Sequence, residues 1–256
     1  MKVFWGGIGG GVALLLIASP ALVEAAGTNI YYGDRVGTSI TYSNIFEYSG
    51  SDPTPLYGSP IISGNSLIFN NMTFSALATN GSSKITDGQI NFDIHSNGSV
   101  GQWIDELQFK ELGDTTLAGT GTANTYTMPA IAVDLTIEAV DFSPFADFFN
   151  QFYQTNVVFA KFTLPPPTSE DWNGMLTIDL ASYLASVGYP DEHVTEVSVV
   201  SDNTLSAGSE PGTEAFIAKK VEGLQVTAMS IPEPSTLCLL VLSGTLLLIG
   251  RFNRKT

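Results

Sequence analysis

Apolar and polar residues alternate along the middle of this chain. Ile90, Phe92 and Ile94 interleave with Asn91, Asp93 and His95, and Val133, Leu135 and Ile137 interleave with Asp134, Thr136 and Glu138. A period of two describes a strand with one face buried and one wet. Runs of this kind predict strands over 66–76, 84–96, 103–112, 130–140, 156–164, 176–180, 194–201, 215–220 and 224–229. Turn pairs punctuate them: Asn80-Gly81, Asp87-Gly88, Asn97-Gly98 and Asn173-Gly174. Many short strands bounded this way predict an all-β fold, an antiparallel β-sandwich that is jelly-roll-like, over residues 26–230.

Two short helices are expected to interrupt the strands. Ser143-Pro144 reads as a cap and first turn, after which Phe145, Phe148, Phe149 and Phe152 recur at helical spacing. Such a helix plugs one end of the sandwich or offers an aromatic platform, and the first reading is favoured. The second helix starts at the cap Asp179, runs through Leu180, Tyr183, Leu184 and Val187, and stops at Gly188. Pro165-Pro166-Pro167 reads as a stiff connector.

The two ends have a different pattern. Residues 1–25 read as a signal peptide: Lys2, an apolar run centred on Val12–Ala18, the breaker Pro20, then a short-residue cleavage site between Ala25 and Ala26. The alternative is an uncleaved anchor, for which the apolar run is short. Residues 231–256 open on Ile231-Pro232-Glu233-Pro234-Ser235. An apolar run from Leu237 to Gly250 follows, and Arg251, Arg254 and Lys255 end the chain. A helix from Thr236 to Phe252 would rise roughly 25 Å, adequate for a slightly thinned bilayer. The trailing cations belong on the cytoplasmic side, which leaves the Pro-Glu-Pro segment outside. The prolines hold that segment extended, as a protease cleft requires.

Those last 26 residues resemble the PEP-CTERM sorting signal of bacterial exported proteins: Pro-Glu-Pro, a transmembrane helix and a short Arg-rich end, in that order. The resemblance implies that Pro232, Glu233 and Pro234 are recognised by an exosortase, a membrane-bound cysteine transpeptidase-like enzyme. This chain would be its substrate. The family is associated with the cell envelope and the exopolysaccharide matrix of biofilm-forming bacteria. A plain C-terminal anchor with chance prolines is the alternative.

Charge narrows the partners of the middle segment. Residues 26–230 hold six cations against 23 carboxylates. Such a surface repels phosphate backbones, which argues against nucleic acid, and suits a soluble exported domain. The single cysteine, Cys238, falls in the C-terminal apolar run, so the domain has neither a disulfide nor a thiolate site. No Gly-x-Ser-x-Gly elbow occurs, and His95 and His193 lack zinc-site spacing. Cofactors are expected to be none, with structural calcium open because acidic loops suit a hard cation. Carboxylate neighbours such as Asp105-Glu106, Glu170-Asp171 and Asp191-Glu192 point to opposite faces of a strand and make no catalytic pair by themselves. Exposed aromatics that could stack on sugar rings are Tyr31, Tyr32, Tyr42, Tyr48, Tyr57, Tyr189, Trp103, expected to begin a strand, and Trp172, expected in a turn and favoured over Trp103. The sequence therefore reads as a non-enzymatic envelope or matrix protein, structural or adhesive and associated with exopolysaccharide. A carbohydrate-binding module or a polysaccharide-active enzyme is the alternative.

Overall fold

A computed structural model describes residues 28–98 and 102–230. The expected signal peptide, the Pro-Glu-Pro motif and the C-terminal helix lie outside the described residues. Among the described residues no helix is long and apolar enough to cross a membrane.

Among the described residues, fourteen strands and one helix follow in chain order. They are β1 (Ile30–Val36), β2 (Ile40–Tyr48), β3 (Ile61–Ser63), β4 (Ser66–Phe69), β5 (Ser75–Thr79), β6 (Ser83–Ser96), β7 (Glu106–Gly119), β8 (Tyr126–Val140), β9 (Ser143–Pro144), β10 (Phe152–Val158), β11 (Phe162–Thr163), β12 (Thr168–Asp179), α1 (Leu180–Ser186), β13 (Val194–Gly208) and β14 (Thr213–Met229). They build two antiparallel sheets. The larger runs β1-β2-β6-β13-β8-β10, with β9 and β11 also on β8. The smaller runs β12-β7-β14-β4-β3, with β5 also on β14.

The alternation seen in the sequence decides which side of each strand is buried. Ile90, Phe92 and Ile94 of β6, Val197 and Val199 of β13, and Ile131, Val133, Leu135 and Ile137 of β8 face Phe109, Leu117, Ile217, Leu224 and Val226 of the smaller sheet in one shared core. Burial of this apolar area is the main stabilising term, at roughly 25 cal/mol per Å² removed from water. A charged pair sits inside the core. Lys219 Nζ lies 2.6 Å from Glu111 Oε2, both side chains are fully buried, and the ammonium also donates to Asn203 Oδ1. Burial pushes the Glu111 carboxyl up and the Lys219 ammonium down, against the pull of each on the other.

α1 forms as expected, and its ends show why. The Asp179 side chain accepts from Ser182 N at 2.7 Å, satisfying a free helical donor. Beyond the helix, Gly188 takes a left-handed φ of 103°. The Asn80-Gly81 turn also holds, with φ of 52° and 86°, the two positive values that a tight hairpin needs.

Residues 145–152 do not form the expected helix. Ser143 and Pro144 pair with Val140 and Ala139, and Phe145 N donates to Glu138 O. From Phe152 onward the chain is a strand on β8. The donors a helix would have used are taken by β8, and between them Asp147 closes a turn by accepting from Phe149 N and Asn150 N.

Two sequence turns are strand interiors instead. Asn173-Gly174 lies within β12, where a Cβ on Gly174 would sit 2.1 Å from the Phe159 ring. Trp172, expected in a turn, lies on the same strand opposite Gly113, whose absent side chain admits the indole. Asp87-Gly88 is likewise inside β6. These glycines provide room for a ring and do not reverse the chain.

Candidate functional site

The wet face of the larger sheet collects most of the chemistry-bearing side chains. Register aligns them in rows across the strands. One row reads Tyr31, Phe46, Asn91, Val200, Asp134 and Gln154. The next reads Tyr48, Gln89, Asp202, Ala132 and Asn156. Six strands at the usual spacing make this face about 24 Å across. Tyr31 and Phe46 pack with centroids 5.4 Å apart, and Tyr31 and Tyr48 remain open to solvent. Aromatic rings thus border a field of amides and carboxylates.

At the centre of the field Asp202 and Asp87 lie diagonally on β13 and β6. Burial, then the neighbouring Asp87 and Asp134, raise the Asp202 carboxyl to about 7. Thr204 Oγ1 donates to Asp87 Oδ1 at 2.9 Å.

One end of the face holds a serine, histidine and carboxylate in line. Ser43 Oγ lies 2.8 Å from His95 Nε2, and His95 Nδ1 lies 3.4 Å from Glu196 Oε1. A hydrolase would also need a donor for an oxyanion beside the serine. The amide that follows, Asn44 N, is already given to Asp34 Oδ1 at 3.2 Å, and the Asn44 side chain donates to Asp93. The His95–Glu196 contact, at 3.4 Å, is longer than a charge-assisted bond. The arrangement fixes the ring of His95.

The other expected residues lie elsewhere. Trp172 is buried, only 4% exposed, on the smaller sheet, so its ring face is closed to a sugar. Trp103 precedes β7, which starts at Glu106, and its half-buried ring stacks on His193 at 3.7 Å and 7°. His193 Nδ1 in turn lies 3.1 Å from the buried carboxylate of Asp105. The two tryptophans are therefore not on one surface. Pro232, Glu233, Pro234, Ala25 and Ala26 lie outside the described residues. Among the described residues no group of three or more His, Cys, Asp or Glu side chains is arranged to hold a metal ion, so the calcium expectation finds no such cluster there.

Sequence reasoning named Tyr31 and Tyr48 of this face but not its amides and carboxylates, because its members come from positions 31 to 156 and 200 to 202. The signal available was the polar half of each alternating run.

No family model matches the chain, and no curated protein matches it. Among solved structures, a thermostable cellulase derived from Cel12A of Rhodothermus marinus overlaps 75% of this chain and 99% of its own, at 9% identity and a TM-score of 0.22. A bacterial lipoprotein from Bacteroides thetaiotaomicron overlaps 79% of this chain and 89% of its own, at 7% identity and a TM-score of 0.15. Overlaps this slight carry no argument about chemistry.

Proposed function

We propose that this is an exported envelope or extracellular-matrix protein, a jelly-roll-like sandwich sorted by a C-terminal PEP-CTERM signal, whose larger sheet touches exopolysaccharide. The signal peptide is removed between Ala25 and Ala26. The tail crosses the inner membrane with its cations inside. An exosortase-type enzyme reads Pro232-Glu233-Pro234 and cuts nearby, and the domain goes to the cell surface or the matrix. Mass spectrometry of the surface form should find an N-terminus near Ala26 and a C-terminus near Pro232. Recovery of chain that still carries Arg254 and Lys255 would refute the processing.

The observation that supports the saccharide partner is the alignment of Tyr31, Phe46 and Tyr48 beside Gln89, Asn91, Asp202 and Asn156 on one sheet face. Rings stack on the apolar side of a pyranose, and amides and carboxylates bond its hydroxyls. The role is binding and not hydrolysis. A glycosidase keeps its two carboxyls about 5–10 Å apart across a cleft with substrate between them, whereas Asp87 and Asp202 are diagonal neighbours on adjacent strands of one sheet face. A glycan-array screen tests this. The Tyr31→Ala/Tyr48→Ala variant should lose affinity by about tenfold or more, or ~1.4 kcal/mol. Unchanged affinity would remove the face from the reading. Release of reducing sugar that is abolished by Asp202→Asn would replace binding with catalysis.

A further inference from the structure

The segment from Phe142 to Phe152 carries four exposed phenylalanines. Phe149 is 90% exposed, Phe148 67%, Phe152 50% and Phe142 49%. Phe148 packs edge-on against both Phe149 and Phe152, so these rings form one patch. Beneath it lies a cavity of about 600 Å³ lined by Val140, Phe145, Phe148, Phe149, Tyr189 and Glu192. Clustered exposed phenylalanines mark a docking surface.

The patch and the exit of the chain share one end of the sandwich. Ser230 Oγ donates to Asp105 Oδ2 at 3.4 Å, Asp105 holds His193, and His193 O accepts from Asp141 N, next to Phe142. The apolar run starts at Leu237, seven residues later. Fully extended, seven residues reach at most about 25 Å. The opposite end, at Gly208, is farther off: the length of β13 separates it from Val194 by about 46 Å. A membrane holding Leu237–Gly250 therefore faces the phenylalanine end.

We propose that the Phe148, Phe149 and Phe152 patch seats the domain on the lipid bilayer that holds its tail. The inference rests on the tail-held topology proposed above. The rim carries Asp141, Asp147, Asp191 and Glu192, so the surface it fits is zwitterionic and not anionic.

The test uses the full chain reconstituted in phosphatidylcholine vesicles with brominated acyl chains. Phe149→Trp is compared with Ala123→Trp in an exposed turn at the far end, and the native chain with its three tryptophans supplies the baseline. Vesicle flotation reports the tether, and quenching reports the docking. The expected result is flotation of all forms, loss of most of the added emission for Phe149→Trp, and none for Ala123→Trp. Adding anionic lipid should weaken the quenching. Flotation without quenching of Phe149→Trp overturns the docking and leaves the tether standing. A blue shift of Phe149→Trp that grows with protein density, without quenching, means a second copy covers the patch and also overturns it. Failure to float removes the tether and the docking together.

Discussion

Lys219→Met is the sharpest probe of the core. The substitution preserves the length of the side chain and removes the cation 2.6 Å from Glu111. Glu111 is then a carboxyl in apolar surroundings, and among the described residues its Oε1 already has no hydrogen-bond partner. Breaking a buried pair from one side costs about 3–5 kcal/mol. The lost donor to Asn203 Oδ1 is part of that cost. At a urea slope near 2.5 kcal/mol per M, the midpoint should fall by roughly 1.5 M. Removing both charges in Glu111→Leu/Lys219→Met should return most of the loss, because desolvation opposes the pair as strongly as attraction favours it. The pH dependence supplies a second check. Burial holds the Glu111 carboxyl above its ordinary value, more so without the cation. A raised carboxyl contributes its stability below the unfolded value and loses it as pH rises through the folded one. The deficit of Lys219→Met should therefore shrink near pH 4.5 and widen at pH 8. A loss under about 1 kcal/mol at pH 8, or a deficit that does not change with pH, would show that the pair is not the desolvated contact described.

Two other expectations follow. Asp202 keeps a proton to about 7 in the folded chain against 3.8 as the ordinary value, so its contribution to stability is present below that ordinary value and lost as pH rises to 7. Asp202→Asn should raise the melting temperature at pH 8 more than at pH 4, and equal shifts at both would contradict the proton assignment. Gly174→Ala drives a methyl into the Phe159 ring and should cost about 1–3 kcal/mol in urea unfolding, a value near zero showing that the ring moves freely.

The sequence carried the long regular strands best. β6 was expected over 84–96 and spans Ser83–Ser96, because its apolar face never breaks phase. β1 and β2 went unseen. In β2 a bulge at Asn44, with φ of 53°, shifts the alternation between Tyr42 and Ile45, so no single period covers it. The runs 215–220 and 224–229 are one strand, β14, folded around a bulge between Lys219 and Leu224. The four phenylalanines from Phe145 to Phe152 matched a helical period by coincidence, since only Phe145 is buried. The site was less legible than the fold. Tyr48, Gln89, Asp202 and Asn156 become neighbours only through register, and register depends on pairings that no local window contains.

β14 also determines how the molecule bears load. Its 17 residues occupy the interior of the smaller sheet, paired with β7 along one side and with β4 and β5 along the other. A pull applied at Ser230 acts along that strand and loads its ladders in shear, so many backbone bonds must yield together. A peeling geometry would open them one at a time. A domain fastened at that point resists stretching before it unravels.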